Sequence, residues 1–323
     1  LLNNKRNGME NSNRLIYKLL FVLLVSFASS GCGQEVDYNN NYDTTATTDA
    51  GKLLVDRTEL VGHMIAEKHY TVTTGVEATE IAYVSYAGMP TRVFIFEVDL
   101  TDPNISIAAS LPNNGTAFGM QPMTGQAKAA DAAGNKVWGG VNADFYNMDN
   151  GTPRGPVHRN GVQIKNNFDS GERSVFYITN TKTAGVAHRD DYPDVNASGV
   201  IQEAVGGGVM LIIDGNIVKQ SDTTVEPRTC IGVGEDGTTV YILVVDGRNY
   251  NYSNGMLFQD QAVVLKALGA HNAINLDGGG SSTFFIRTTP DFTDDRFEVR
   301  NWPSDRGGQE RSVANGLLII SNL

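Results

Sequence analysis

The stretch Asn275–Phe285, NLDGGGSSTFF, separates two runs that have the composition of strands, and it fixes how the chain turns between them. A tight hairpin needs only two loop residues, so this six-residue polar insert is longer than a simple connection requires. Glycines that adopt positive φ can aim several backbone N–H groups at one point, which suits an anion. The stretch is therefore either a glycine-rich hairpin capped by Asp277 or an anion cradle whose donors are Gly278, Gly279, Gly280, Ser281 and Ser282.

Strand-like runs continue on both sides of this stretch, for example TEIAYVSYAG and TRVFIFEVDL, which meet at Gly88-Met89-Pro90. Two helices interrupt them. MLFQDQAVVLKALGA has a C-capping Gly269, and TGQAKAADAAGN ends at Gly134. The apolar face of the first helix consists of Phe258, Ala262, Leu265 and Leu268. Many strands and few helices predict a mixed α+β (α/β) single domain.

The two predicted helices lead into similar sequences. Each is followed by a short strand and then by an apolar-Asn-x-Asp pattern, in VNADF (141–145) and INLDG (274–278). The similarity indicates either an internal duplication or chance. A duplication would place Asp144 and Asp277 at equivalent strand ends, facing one cleft.

Composition limits the class of protein. The chain has 323 residues, 41% of them hydrophobic, which is enough for a sizeable core. It contains 35 glycines, which indicates many tight turns. The formal net charge is −11 and no stretch gathers Lys and Arg into a block, so a nucleic-acid partner is not expected.

The first 32 residues have the pattern of a bacterial lipoprotein leader. We expect translation to start at Met9, followed by two basic residues and the apolar run Leu19–Ala28. Cleavage before Cys32 would make this cysteine the lipidated first residue. Ordinary secretion is the alternative, because Ser29 stands where such sites usually have leucine.

Three segments follow from these patterns: a leader (residues 1–32), a polar tether (33–52) and one folded domain (53–323). The tether has few aliphatic residues and no periodicity, as flexible linkers do. The expected location is the bacterial cell envelope, on either face of the outer membrane. Only the lipid anchor would contact the membrane.

Several kinds of catalytic machinery are missing from the sequence. Its five histidines lack metal-ligand spacing, and it contains neither a G-x-S-x-G elbow nor a phosphate-binding P-loop. Cys230 lies among β-formers with no histidine nearby, as a buried structural thiol would. Carboxylates and arginines remain as the candidate reactive groups.

Some of these groups lie at strand ends in the second half of the chain. Glu226 and Arg228 lie at the start of one predicted strand, and Asp246 and Arg248 follow the end of another. Arginine is the planar donor that suits phosphate oxygens. A surface ion pair would equally explain Glu226 and Arg228, and an ordinary turn aspartate would explain Asp246, in both cases without a ligand.

Further polar residues lie near the other glycine-rich segments. Alternation places Asn142, Asp144 and Tyr146 on one face of the VNADFYN strand end. Glu203 comes just before the glycine run GGGVM. Such a polar face is either solvated or part of a site.

Five stretches in a fixed order resemble the phosphodiester glycosidase family: GVNADFY, GGGVMLIIDG, EPRTCIGVGEDGTTVYILVVDGR, LGAHNAINLDGGGSSTFF and RSVANGLLI. The resemblance extends over residues 80–320. The NLDGGGSST run is a hallmark of the family and falls on Asn275–Thr283. One departure is Val209, where the family often has proline.

The resemblance implies hydrolysis of a sugar joined through its anomeric carbon to a phosphodiester, which leaves a phosphomonoester. Phosphate is a stable anionic leaving group, so little general-acid help is needed. The base or nucleophile would be one of three carboxylates, Asp277, Asp144 or Glu203. Asp277 is the first choice among them. The implied phosphate and substrate ligands are Arg228, the N–H groups of Gly278 to Ser282, Asn142, Asp246 and Arg248.

Three other interpretations fit the same residues. The protein could break the P–O bond instead, or bind glycans without turnover. It could also use Ca²⁺ or Mg²⁺ held by Asp144, Asp246 and Asp277. No cofactor is required by the sequence, and the expected partner is a carbohydrate phosphodiester.

Overall fold

Short strands joined by turns make up most of the computed structural model, which describes residues 43–288, 296–305 and 307–321. The helices are α1 (Asp49–Arg57), α2 (Met123–Ala132), α3 (Tyr192–Ala197) and α4 (Phe258–Leu268). The strands are β1 (His63–Thr73), β2 (Val76–Val84), β3 (Pro90–Asp99), β4 (Ile105–Ser110), β5 (Lys136–Asn142), β6 (Val157–Arg159), β7 (Val162–Lys165), β8 (Ser174–Thr179), β9 (Ala184–His188), β10 (Ile201–Gly207), β11 (Met210–Ile213), β12 (Asn216–Ile217), β13 (Arg228–Val233), β14 (Thr239–Val245), β15 (Asn272–Asn275), β16 (Phe284–Arg287), β17 (Phe297–Val299) and β18 (Gly316–Ser321). The predicted mixed α+β fold class is confirmed.

These strands form three antiparallel sheets. The first has the order β1-β2-β3-β14-β13-β15-β11-β12, the second β7-β6-β10-β8-β9, and the third β17-β16-β5-β18-β4. The predicted turn at Gly88-Met89-Pro90 joins β2 to β3, which pair with Val84 opposite Pro90. β15 lies in the first sheet and β16 in the third, so the stretch between them carries the chain from one sheet to the other.

One hydrophobic core receives side chains from all three sheets. Phe96 of the first sheet stacks on Phe284 of the third, with ring centroids 3.9 Å apart. Phe176 of the second sheet belongs to the same buried cluster. Burial of a phenylalanine of this kind contributes roughly 1.5–3 kcal/mol. The shared core holds the ends of β5 and β15 in fixed positions.

Both predicted helices are present and cover the outer faces of two sheets. In α4, Ala262, Leu265 and Leu268 are buried against the first sheet. The helix ends at Gly269, whose φ of 119° fits the predicted C-cap. α2 packs on the third sheet through Met123 and Ala127. The two helix–strand units that suggested a duplication are thus both found, while the duplication itself stays a prediction.

Helix α1 crosses the boundary predicted at residue 53. Thr48 caps this helix by accepting the Gly51 N–H at 3.0 Å. The Glu67 carboxylate of β1 in turn accepts hydrogen bonds from Thr47 and Thr48. Residues 43–52, part of the predicted tether, therefore contact the domain, whereas residues 1–42 with the predicted leader lie outside the described residues. No helix in the described part of the chain is long and apolar enough to span a membrane.

Candidate active site

The stretch Asn275–Phe285 is a crossover between sheets, not the hairpin that was its alternative interpretation. Gly279 has a φ of 62°, in the left-handed region that favours glycine. A β-carbon on Gly280 would overlap the side chains of Asp305 and Arg311. Glycine thus suits the backbone conformation at position 279, and at position 280 it leaves room for the Asp305 and Arg311 side chains.

Most N–H groups of this crossover bond within the protein. The Gly279 N–H donates to the Pro227 carbonyl at 2.8 Å, and those of Ser281 and Ser282 donate to carbonyls of the crossover itself at 3.2 Å. These three donors are not available to an anion, contrary to the predicted cradle, because the short 3₁₀ turn over Gly279–Ser281 uses the N–H groups of Ser281 and Ser282 and the Pro227 carbonyl accepts that of Gly279.

Asn142, at the end of β5, ties the crossover to its neighbours. Its side-chain N–H donates to the Asp277 carbonyl at 2.6 Å. Its side-chain oxygen accepts from the Thr229 hydroxyl at 2.9 Å and from the Thr283 N–H at 3.0 Å. Asn142, predicted as a substrate ligand, is buried, and its side-chain nitrogen and oxygen both form hydrogen bonds within the protein. It positions Asp277.

The half-buried Asp277 lines a cavity. Burial raises the pKa of this carboxyl to about 6. The Ser281 hydroxyl and the charge of Arg311 oppose that rise, because both stabilise the ionised form. Asp277 is therefore an accessible carboxylate whose ionisation falls close to neutral pH.

Asp144 is fully buried and close enough to Asp277 for their charges to interact. Its Oδ2 accepts the Gly155 N–H at 2.6 Å, while its Oδ1 has no partner among the described residues. The pKa of Asp144 is raised to about 7, mainly by burial and to a smaller extent by the negative charge of Asp277, while the Gly155 N–H and the charge of Arg173 oppose the rise. The two strand-end aspartates that the sequence predicted to face one cleft therefore interact, with only Asp277 at the cavity surface.

Two arginines that the sequence reasoning did not select lie beside Asp277. Arg311 donates to Asp305 Oδ2 at 2.6 Å, and its Nη1 lies 3.3 Å from Ser281 Oγ. Arg154 is exposed and lines the same cavity. The positive charges of both arginines lower the pKa of Asp277. Arg311 belongs to the RSVANGLLI stretch that carried the family resemblance, so a signal for it was present in the sequence.

The predicted phosphate ligand Arg228 points elsewhere. Its guanidinium lies 3.8 Å from the Phe258 ring centroid and donates to the carbonyls of Met256 and Thr224. These contacts are on the α4 side of the first sheet. Arg228 therefore stabilises the packing of α4 and is not brought to Asp277.

Arg248, in contrast, does lie at the crossover. A β-carbon on Gly279 would be 3.3 Å from both of its terminal nitrogens. Glu226 accepts a hydrogen bond from its Nε at 2.6 Å and holds it there. Arg248 is half exposed, so its guanidinium presents donors to solvent beside the glycines.

Two other predicted carboxylates hold backbone segments. The oxygens of buried Glu203 accept the N–H groups of Ala109 and Asn160, each at 2.8 Å. Those of Asp246 accept from the Asn301 side chain at 2.9 Å and the Trp302 N–H at 2.7 Å. The structure thus gives both carboxylates positioning contacts, with no contact to Asp277.

The metal-assisted interpretation required Asp144, Asp246 and Asp277 to gather around one ion. The oxygens of Asp246 are instead used by the segment after β17. Within the described ranges, no group of three or more His, Cys, Asp or Glu side chains is placed to hold a metal. The predicted Ca²⁺ or Mg²⁺ ligand set is therefore not assembled.

The cleft at Asp277 consists of two adjoining cavities. The smaller has a volume of about 220 Å³ and is lined by Phe145, Tyr146, Met148, Arg154, Asp277 and Arg311. The larger, of about 310 Å³, shares three of these residues, Tyr146, Met148 and Arg311. A cleft with one accessible carboxylate and two guanidinium groups can bind an anion next to a nucleophile or base.

The fold and this cleft define a strand-rich α+β protein with a carboxylate–arginine site. The chain belongs to the phosphodiester glycosidase family, whose sequence model matches residues 135–320. A comparison with curated proteins found no match.

Two solved structures have a similar fold. One is the catalytic domain of zebrafish N-acetylglucosamine-1-phosphodiester alpha-N-acetylglucosaminidase, auto-inhibited by its pro-peptide. It aligns with a TM-score of 0.60 and 19% identity over 80% of this chain and 89% of its own. The other, a hypothetical protein from Synechocystis, aligns with a TM-score of 0.55 and 15% identity over 80% of this chain and 64% of its own. At these identities the likeness shows a shared fold.

Proposed function

We propose that this protein hydrolyses the bond between the anomeric carbon of a sugar and the bridging oxygen of a phosphodiester. The products are the free sugar and a phosphomonoester. The observation that carries the proposal is the cavity in which the Asp277 carboxylate lies with Arg154 and Arg311. Membership of the phosphodiester glycosidase family supports it.

In this reaction the oxygen of water adds to the anomeric carbon while the C1–O bond breaks, and the bridging oxygen departs on phosphorus. Asp277 accepts the proton of that water if it acts as a base. If it acts as a nucleophile, it first forms a glycosyl ester that water then cleaves. Both routes need the ionised form of Asp277, which also stabilises positive charge at the anomeric carbon.

Arg311 and Arg154 supply the phosphate contacts in this proposal. Guanidinium groups bind phosphate oxygens through paired, charge-assisted hydrogen bonds. Arg311 is oriented by Asp305 at 2.6 Å, so little conformational freedom is lost when phosphate binds. Arg248, on the outer side of the glycines, is a further candidate ligand.

The decisive test is the Asp277→Asn variant, assayed by NMR on a panel of sugar 1-phosphodiesters. The panel includes the N-acetylglucosamine 1-phosphodiester that the zebrafish enzyme's name specifies. We expect the wild type to release free sugar and Asp277→Asn to lose turnover. Asp56→Asn, an exposed aspartate on α1, is the matched control and should keep full activity. Full activity of Asp277→Asn would remove this residue from the reaction.

Hydrolysis in ¹⁸O-labelled water identifies the bond that breaks. Attack at the anomeric carbon places the label in the sugar, and we expect this result. Label in the phosphomonoester would instead show P–O cleavage, the alternative that the sequence left open. Binding of the panel without any product would favour a non-catalytic glycan-binding protein.

We also propose that the protein is anchored in the bacterial cell envelope through a lipid on Cys32. The support is the leader pattern before this cysteine. The full chain and its Cys32→Ser variant should be expressed in a Gram-negative host and fractionated. The wild type should sediment with membranes and carry an acylated N-terminal peptide, and the variant should not. Equal solubility of both would contradict the anchor.

A further inference from the structure

The two cavities of the cleft meet at Arg311. The smaller one is lined by Asp277 and Arg154, and Arg311 also belongs to its lining. The larger one also contains Arg311 but neither Asp277 nor Arg154 in its lining. The residues that occur only in the larger lining are Met120, Asp305, Gln309, Glu310 and Ser312.

We propose that the two cavities receive the two halves of the phosphodiester, the sugar in the smaller and the leaving group's organic substituent in the larger. This inference rests on the proposed function. Asp277 must reach the anomeric carbon, so the sugar lies in the cavity that contains this carboxylate. Arg311 borders both cavities, which puts the phosphate at their junction. The remaining substituent of the phosphate then extends into the larger cavity.

The sizes of the cavities agree with this arrangement. Sites for small molecules usually have volumes of roughly 300–1,000 Å³. The cavity at Asp277, about 220 Å³, lies below that range, whereas the larger cavity, about 310 Å³, is only at its lower limit. A ligand that fills both would use a site of ordinary volume.

The lining of the larger cavity indicates the chemistry of its occupant. Met120 and Met148 are 39% and 63% exposed and are among the exposed large hydrophobic residues. Thioether side chains adapt to apolar surfaces of irregular shape. This lining contains two carboxylates and one guanidinium: Asp305 pairs with Arg311, while Glu310 accepts hydrogen bonds from Thr124. The cavity therefore favours a partly apolar leaving group that is neutral or cationic and disfavours an anionic one.

A series of four esters of one sugar 1-phosphate tests this assignment. The sugar is the one turned over fastest in the panel, and the ester groups are methyl, benzyl, trimethylammonioethyl and carboxymethyl. We expect kcat/KM for the benzyl and trimethylammonioethyl esters to exceed that of the carboxymethyl ester by roughly tenfold or more. Equal values for all four esters, with turnover intact, would overturn the assignment and leave the proposed function standing. No turnover of any ester would overturn both.

Three variants test whether the preference among leaving groups arises in the larger cavity. Met120→Gln, in the lining of the larger cavity alone, should lower the ratio of benzyl to methyl kcat/KM because it removes an apolar contact, and Met148→Gln, in the lining of both cavities, should lower it as well. Met89→Gln is the matched control, since Met89 is 38% exposed on the β2–β3 turn, and it should leave the ratio unchanged. Gln309→Lys should raise the relative rate of the carboxymethyl ester. Ratios unchanged in all three cavity variants would place the leaving group elsewhere.

Discussion

At the scale of single residues, the ionisation of two aspartates sets the expected pH dependence. The pKa of Asp277 is raised to about 6 and that of Asp144 to about 7, burial being the main cause in both. Activity needs ionised Asp277, so kcat/KM should rise with pH through about 6. Ionisation of Asp144 adds a second negative charge near Asp277, which disfavours binding of the anionic phosphate, so kcat/KM should fall above about 7. A rate profile measured from pH 4 to 9 should therefore have its maximum between these values.

The Asp144→Asn variant separates the two limbs of this profile. Asparagine keeps an oxygen for the Gly155 N–H but cannot ionise. We expect the variant to lose the alkaline limb and keep the acid limb. Asp149→Asn, on the exposed loop 147–150, should leave both limbs in place. An alkaline limb that persists in Asp144→Asn would assign it to another group.

Arg311 is the residue whose loss should weaken phosphate binding most. Charge-assisted hydrogen bonds contribute roughly 1.5–3 kcal/mol, which corresponds to about 10- to 150-fold in affinity. We expect Arg311→Gln to weaken inhibition by inorganic phosphate by this factor while inhibition by the free sugar changes little. Arg311→Lys should recover only part of the loss, because lysine lacks the planar fork that pairs with Asp305. Equal weakening of both inhibitors would indicate a general disturbance of the site.

At the scale of elements, the crossover between β15 and β16 is where a small change should matter most. A β-carbon at Gly280 overlaps the Asp305–Arg311 pair, whose side-chain ends can shift. Gly280→Ala should therefore lower kcat/KM by roughly tenfold or more, since a misplaced binding group costs about that much or more. The melting temperature should change little. Gly115→Ala is the control, because its β-carbon would meet only an ordinary contact at 3.4 Å. A large loss of stability in Gly280→Ala would show that the pair cannot move.

The secondary-structure elements of the site could be predicted from the sequence, but the direction of the Arg228 side chain could not. Local patterns were sufficient for α2, for α4 and for the strand ends that carry Asp144 and Asp277. The side of the sheet that Arg228 faces depends on alternation along β13, which puts Arg228 and buried Cys230 on the α4 side and Thr229 on the side of Asn142. The neighbours on those two sides come from distant parts of the chain, so the strand sequence alone could not tell which side contained the cleft.

At the scale of the whole molecule, the site exists because three sheets share one core. β5 of the third sheet and β15 of the first end side by side, where the Asp277 N–H donates to the Ala143 carbonyl at 2.7 Å. Arg154 and Arg311 arrive from segments more than 100 residues apart in the sequence. Their meeting depends on this three-sheet arrangement, which no local pattern specifies. For that reason the sequence predicted the carboxylates of the cleft and missed its arginines.

The shared core also predicts an unusual dependence of stability on pH. The pKa values of Asp144, Glu203, Asp246 and Asp277 are all raised in the folded protein, to between about 6 and about 7, because of burial. In the unfolded chain such groups titrate near 4. The folded state therefore binds protons more tightly, and this contribution to the free energy of unfolding is fully present below about pH 4 and lost as pH rises through 7.

Thermal unfolding followed by circular dichroism should consequently give a higher melting temperature at pH 5 than at pH 7.5. Ionisation of one such carboxyl, for example Glu203, costs on the order of 3 kcal/mol at about 1.4 kcal/mol per pKa unit. Glu203→Gln should make the decline between these pH values shallower, because glutamine has no charge to desolvate, although it loses one acceptor for the Ala109 or Asn160 N–H and starts from a lower stability. Glu59→Gln, an exposed site, should keep the wild-type slope. A melting temperature that rises from pH 5 to 7.5 would show that these carboxyls are hydrated or paired in solution.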